Sequence, residues 1–335
     1  MPSDRFAQMP LPPTGQVPMD RALARLLILG ALSLVALGLF LTLGVPHGAW
    51  GFALPFRAGK LVALVLVAYA IATSTQLFHV ATRNQILTPA IMGFDALYLM
   101  LQAGLVFFLG AMATQDLDPV FKFSLEVILM MVFSTGLFLW LFSAQARDLH
   151  LLVLVGIIFG TLFRSLSSFI SRMIDPNDFV VVQGASFAQF NTVNIDLVWI
   201  TLVLCAFTLP VLWALRHQFD VLALGRDTAI NLGLAYRRVM LITFAMIGLL
   251  VSVSTALVGP VTFFGLLVTH LAYRLLPGAR FGQTWVAATL VAVITLVGGQ
   301  AVFEHVLGFK GTLSVVIDLL GGLVFLTLLF KGAQR

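Results

Sequence analysis

Charge is what this sequence has least of. Only 10% of its 335 residues are charged, against roughly 25% in water-soluble domains, while 60% are hydrophobic and the mean hydropathy is +1.04. Such a composition excludes a soluble globular domain. The single cysteine, Cys205, lies in an apolar run; it excludes an internal disulfide and a cysteine-built metal site, and reads as a small buried hydrophobe. There is no GxxxxGK[ST] phosphate loop, and Lys60, Lys122, Lys310 and Lys331 all stand outside such a context, so the chain does not hydrolyse ATP itself. HExxH is also missing, and the six histidines show no ligand spacing, so neither a metalloprotease nor a bound metal is expected. The net charge of +5 suggests no nucleic-acid partner, because the basic residues are scattered and form no continuous stripe.

What the sequence does have is long apolar runs. A helix rises about 1.5 Å per residue and the hydrocarbon layer is about 30 Å thick, so each crossing needs roughly 20 apolar residues. Breaking the chain at charges, Pro and Gly predicts about ten spans: Ala22 to Val45, Leu61 to Val80, Gly93 to Met112, Phe123 to Phe142, Leu151 to Ile170, Leu197 to Leu215, Val239 to Val258, Val261 to Leu276, Trp285 to Val302 and Leu313 to Phe330. The prediction is an all-α integral membrane protein, with residues 21–335 as one transmembrane domain. Residues 1–20, where Met1 to Met19 holds five prolines and no periodicity, read as a disordered cytoplasmic tail. An even number of spans puts both termini on one side. Placing them in the cytoplasm leaves about 13 basic residues inside and only Arg57, Lys60, Lys122, Arg172 and Lys310 outside, which satisfies the positive-inside rule.

Two loops are long enough to hold structure. In the outer one, 172–194, Asp175-Pro176 can start a short external helix. The inner one, 216–238, carries apolar residues at Val221, Leu222, Leu224, Ala229, Ile230, Leu232 and Leu234, interrupted by Gly225 and Gly233, and predicts two short amphipathic helices. Such helices either lie on lipid headgroups or dock a soluble partner. The mixed signs of Arg226 and Asp227 favour a protein partner, since a lipid-surface helix is rich in Lys and Arg.

Asp95, Glu126, Glu304 and Asp318 fall near span ends, which gives ion coupling few mid-membrane carboxylates to work with. Arg164 is different. It lies well inside a span beside Ser165 and Ser168, and a buried guanidinium costs several kcal/mol unless it meets water or a partner. It either lines a polar path able to meet an anionic metal chelate, or snorkels or pairs with an acid such as Glu126. Gly156 and Gly160 one turn earlier form GxxxG, a close-packing signal.

The stretch Ser252 to Arg274, SVSTALVGPVTFFGLLVTHLAYR, resembles the signature GPIxFxGLxxPHxxR of the iron-siderophore and vitamin B12 permeases, the FecCD type. Gly259, Pro260, Phe263, Gly265, Leu266, His270 and Arg274 match as they stand, while Thr269 replaces the usual proline. RNQILTPAIMGF at Arg83 to Phe94, with Asn84, and LGRDTAINLG at Leu224 to Gly233 also agree, and the version at Asn84 to Tyr98 is most similar to the subgroup handling ferric catecholate or related siderophores. The resemblance implies a type II (BtuC-like) ABC importer permease in a bacterial inner membrane, powered by two separate ATPase subunits that bind ATP and Mg, so that the chain itself carries no cofactor. It implies a second permease, different in sequence in preference to a second copy, and a periplasmic or lipid-anchored binding protein. On this reading Leu224, Gly225, Arg226, Asp227, Ala229, Leu232 and Gly233 couple to the ATPase; Arg164, Ser165, Ser168 and Glu126 line the path; and Arg57, Lys60 and Arg172 receive the binding protein. An ion-coupled secondary transporter or exporter of a small metabolite is the competing class.

Overall fold

The computed structural model describes residues 19–44, 50–143, 149–306 and 313–333; the expected tail up to residue 18 and the outer Lys310 lie outside them. Helix α1 (Met19–Thr42) is followed by α2 (Trp50–Thr82), a short 3-10 turn (Pro89–Met92), α3 (Phe94–Leu109) and α4 (Ala111–Asp116). Then come α5 (Pro119–Ser143), α6 (Leu149–Ser171), α7 (Pro176–Ala185), α8 (Ile195–Ala223) and α9 (Arg226–Asn231). The chain ends with α10 (Tyr236–Val258), α11 (Phe264–Leu275), α12 (Phe281–His305) and α13 (Leu313–Ala333). Each of the ten expected spans has a helical counterpart, and no strand occurs among the described residues. Seven of the helices are long and apolar enough to cross a membrane; α3 and the described part of α13 are apolar but shorter.

Helices α2 and α10 form the centre. In their most apolar stretches 67% and 72% of residues are buried, against 17% for α1 and 11% for α6. Helix α10 packs on α2 and α5, and α12 packs on α2, α1 and α11. Apolar contact does not distinguish protein from lipid, so polar contacts between helices add specificity. Trp285 Nε1 donates to Thr73 Oγ1 at 2.9 Å, Gln76 Nε2 to Thr284 Oγ1 at 2.6 Å, and the Tyr69 and Thr208 hydroxyls meet at 2.7 Å.

Four expectations need correction. Helix α2 starts at Trp50, not Leu61, because Arg57 and Lys60 find partners at its outer end instead of ending it. The third span breaks at Gly110, where φ is +81°, into α3 and α4. Only one separate short helix, α9, stands in the inner loop. The first of the two expected there is the end of α8, because Leu212, Phe219 and Leu222 continue one buried face and Asp220 Oδ1 accepts the N–H of Phe281 at 2.7 Å. The eighth span is a helix of 12 residues, about 18 Å long, which crosses only part of the hydrocarbon. The outer loop does contain its helix, α7, capped by Asp175 accepting the N–H of Asn177 at 2.9 Å.

The GxxxG of α6 serves the close approach it signalled. Gly156 and Gly160 face the 3-10 turn, and a Cβ on Gly93, where φ is +89°, would stand 2.6 Å from Gly160 Cα. Replacing Gly160 with leucine therefore separates α6 from the turn and lowers stability by about 1–3 kcal/mol, read as a lower thermal midpoint in detergent; an unchanged midpoint contradicts this seam.

Candidate functional site

The family-like signature is where α10 stops and α11 begins. Gly259 takes φ +102°, and a Cβ there would meet Ala188 Cα and the Phe187 carbonyl oxygen at 3.2 Å, so only glycine lets the outer loop come this close. That loop is held by Gln189 N–H donating to the Val258 carbonyl at 2.7 Å. Beyond the break, Thr262 Oγ1 donates to Asp95 Oδ2 at 3.0 Å and Phe263 N–H donates to Asp318 Oδ1 at 3.3 Å. Gly265 packs on Thr75 and Gly321 on Phe263. These contacts surround a chamber of about 30 Å³ lined in part by Thr75, Thr88, Asp95, Thr255, Gly259 and Thr262. Gly259, Pro260, Phe263 and Gly265 thus build a backbone junction between the long α10 and the short α11.

At Thr269, where the resemblance expects proline, the hydroxyl donates back to the Gly265 carbonyl at 2.7 Å, and α11 runs through without interruption. His270 lies partly buried, edge-on to Tyr273 at 6.4 Å, and Arg274 is exposed at the end of the helix. Asn84 shapes the turn after α2 by accepting the N–H of Ile86 at 2.9 Å.

On the inner loop, Gly225 again has a positive φ, +104°, and a Cβ there would lie 2.8 Å from Arg83 Nη1. The guanidinium of Arg83 therefore lies against the start of α9. Ala229 is fully buried beneath the helix, whereas Leu224, Ile230 and Leu232 are 56%, 46% and 62% exposed, with Asp227 exposed among them. Arg226 sits 5.9 Å from the Tyr236 ring, and Gly233 turns the chain back with φ +83°. A six-residue helix seated on its small residues thus presents apolar side chains and one acid outward.

The expected path residues separate into two groups. Arg164, Ser165 and Ser168 are exposed on α6 and, with Phe169 and Arg172, line an open depression of about 420 Å³. Residues 164, 168 and 172 follow one another at helical spacing, so both arginines share one face. Glu126 is elsewhere. It is 2% exposed and accepts a hydrogen bond from Gln102 Nε2 at 2.7 Å, because its position on α5 faces α3. It neither lines this face nor pairs with Arg164.

The expected outer basic patch also divides. Arg57 Nη1 donates to the carbonyls of Phe40, at 3.1 Å, and Leu43, holding the end of α1. Lys60 forms an ion pair with Glu304 and donates to Asn191 Oδ1 at 2.6 Å, while Gln300 Nε2 reaches both Asn191 Oδ1 and Glu304 Oε1 at 2.9 Å. This network joins α2, α12 and the outer loop; only Arg172 of the three predicted basic residues remains exposed. Sequence reasoning missed the network and the chamber. Gln300 and Glu304 stand at i, i+4 on one helix face, and Thr73-Ser74-Thr75-Gln76 is a polar tetrad inside an apolar run, signals that pointed to both.

Seven helices long and apolar enough to cross a membrane among the described residues, a broken junction between α10 and α11, a cationic face on one span and a short helix projecting from the inner loop define a multi-pass membrane transport subunit. The chain belongs to the FecCD transport family, whose profile matches residues 23–331. It is 43% identical over 307 residues to the petrobactin import system permease protein YclO of Bacillus subtilis (strain 168), covering 92% of this chain and 97% of that one. With the petrobactin import system permease protein FatC of Bacillus anthracis it shares 32% identity, over 90% and 87% of the two chains. The fold matches a metal-chelate type ABC transporter solved in an inward-facing conformation, with TM-score 0.80 and 19% identity over 92% of this chain and 99% of the other. The protein is a permease subunit of an ABC importer and not an enzyme; ATP hydrolysis belongs to a separate subunit.

The Lys60–Glu304 pair is enclosed, each side chain being 9% exposed, so removing one member strands the other. Lys60→Met lowers stability by about 3–5 kcal/mol, and the Lys60→Met/Glu304→Met double variant recovers a large part of that loss. Thermal midpoints in detergent read both, and a single variant as stable as the parent contradicts a structural pair.

Proposed function

We propose that this chain forms one half of a path that carries a ferric siderophore across a bacterial cytoplasmic membrane, with both termini in the cytoplasm. The observation that carries the reading is Arg164. Its side chain is exposed on the surface of a membrane span whose most apolar stretch is only 11% buried, and a guanidinium turned to lipid is costly. A water-filled path shared with a second permease removes that cost, and Arg164 and Arg172 with Ser165 and Ser168 offer an anionic iron chelate charge and hydroxyl donors. The petrobactin named for both relatives supports this cargo class. Two different permease proteins, FatC and FatD, carry the same petrobactin import name in Bacillus anthracis, and this chain is 32% and 22% identical to them; the pair favours a heterodimer.

The inner face supports the rest of the assembly. Leu224, Ile230 and Leu232 project around Asp227 from a helix seated tightly at Gly225 and Ala229, a shape that suits insertion into a cleft of an ATPase subunit. Two ATPases, binding ATP and Mg themselves, close on nucleotide and shift this helix, so that the path opens to one side at a time. A periplasmic or lipid-anchored binding protein delivers the chelate at the outer end, where Arg172 is the basic residue of the predicted three that is still exposed.

In cells carrying the assembled importer, Arg164→Ala reduces initial uptake of radiolabelled ferric petrobactin roughly tenfold, the equivalent of one charge-assisted hydrogen bond of about 1.5 kcal/mol, while the complex still purifies intact. Unchanged uptake returns Arg164 to a structural role. Gly225→Val, which pushes α9 off Arg83, leaves ATP hydrolysis in the purified complex but abolishes uptake. Uptake driven by a proton gradient with no ATPase subunit present overturns the importer reading.

A further inference from the structure

The chamber at the α10–α11 junction has a chemistry that the transport reading does not use. Its lining comes from α2 (Thr75), the segment before the 3-10 turn (Thr88), α3 (Asp95), α10 (Thr255) and the unwound stretch Gly259 to Thr262. Thr75, Thr88 and Thr255 are 2%, 4% and 4% exposed, and none of their hydroxyls has a hydrogen-bond partner among the described residues. Thr88 stands at the N-cap of the 3-10 turn without capping it. Three hydroxyls with no protein partner among the described residues, around one small cavity, leave their oxygens open to an occupant.

Electrostatics selects which occupant. Asp95 lines the same chamber and accepts a hydrogen bond from Thr262, yet it belongs to no ion pair; among the described residues the one salt bridge within 4.0 Å is Lys60–Glu304. The other charges within reach of Asp95 are Asp318, which adds negative potential, and Arg164, exposed on α6. A water molecule satisfies hydroxyls but brings no charge to Asp95, and Arg164, the cation within reach, forms no ion pair with it and is turned to the exposed face of α6. The lining side chains that carry polar atoms are Ser, Thr and Asp, oxygen donors alone, which selects a hard cation. One carboxylate balances a single positive charge, and a space of about 30 Å³ has room for one small ion stripped of its hydration shell.

We propose that the junction between α10 and α11 is a sodium site, in which Asp95 supplies the charge and Thr75, Thr88 and Thr255, with the unwound backbone at Gly259, supply neutral oxygens. An unwound stretch beside a short helix and a carboxylate is a general means of holding a monovalent cation in the membrane. The ion joins α2, α3 and α10 at the place where the backbone leaves the helix. The site stands apart from the cargo, and its test does not require uptake.

The deciding measurements use the purified permease complex. In sodium chloride its thermal midpoint rises by at least about 2 °C, saturably, over equal concentrations of potassium or choline chloride. Radioactive sodium binds at one ion per copy of this chain and is displaced by unlabelled sodium but not by choline. Thr75→Val, which keeps the side-chain shape, raises the half-saturating sodium concentration roughly tenfold, equivalent to about 1.4 kcal/mol, and Asp95→Asn removes the sodium response. Equal midpoints in all three salts overturn the proposal and leave the chamber to a water molecule. A sodium response that is unchanged in Thr75→Val and in Asp95→Asn places the ion elsewhere and overturns it equally. If Asp95→Asn does not assemble, the salt comparison on the parent complex and the Thr75→Val titration still decide.

Discussion

The hydrocarbon interior offers no hydrogen-bond partners, so a backbone that leaves the helix inside the membrane must be satisfied by the protein itself. This chain leaves the helix at Gly259 and re-enters at Phe264, and much of its internal order answers that one interruption. The Val258 carbonyl is taken by the outer loop, the Phe263 N–H by a carboxylate on α13, and Thr262 by a carboxylate on α3. Three distant segments are thereby brought to one point. Glycine at 259, 265 and 321 is the steric condition for that convergence, since a Cβ at each would lie close to a neighbouring segment.

From the junction outward, the chain is tied differently at its two ends. At the outer end Arg57, Lys60, Asn191, Gln300, Glu304 and His305 hold α1, α2, α12 and the outer loop through hydrogen bonds and an ion pair. At the inner end α9 is held through Gly225, Ala229 and the guanidinium of Arg83, and its remaining surface is open. A displacement applied to α9 therefore meets a lightly bound lever first and a firmly pinned end last. That order suits the coupling proposed for α9.

Apolar length is written into single residues, and the ten helices were legible for that reason. Where helices end was less so. The approach of α8 to α12 lets Asp220 cap the N-terminus of α12, and no local pattern in 216–238 contains that distant contact. The cationic face of α6 was readable at Arg164 because a charge amid an apolar run is conspicuous, and GxxxG correctly announced a close seam although its partner is a turn and not a helix. Lys60 and Arg57 were misread as outward-facing because a basic residue near a span end looks the same whether it meets water or a partner; Glu304 lies 244 positions away. Glu126 was misplaced for a similar reason, since helical phase alone does not say which neighbour a face will meet.

The bareness of α6 bears on the life of the molecule before it works. A newly inserted copy holds Arg164 on a span surface that its own other helices scarcely cover, so in isolation that cation carries a charge penalty in lipid. Covering that face with a second subunit removes the penalty, so assembly is favoured by the charge as well as by apolar contact. The same cation proposed to meet an anionic cargo is what makes this face costly to leave against lipid.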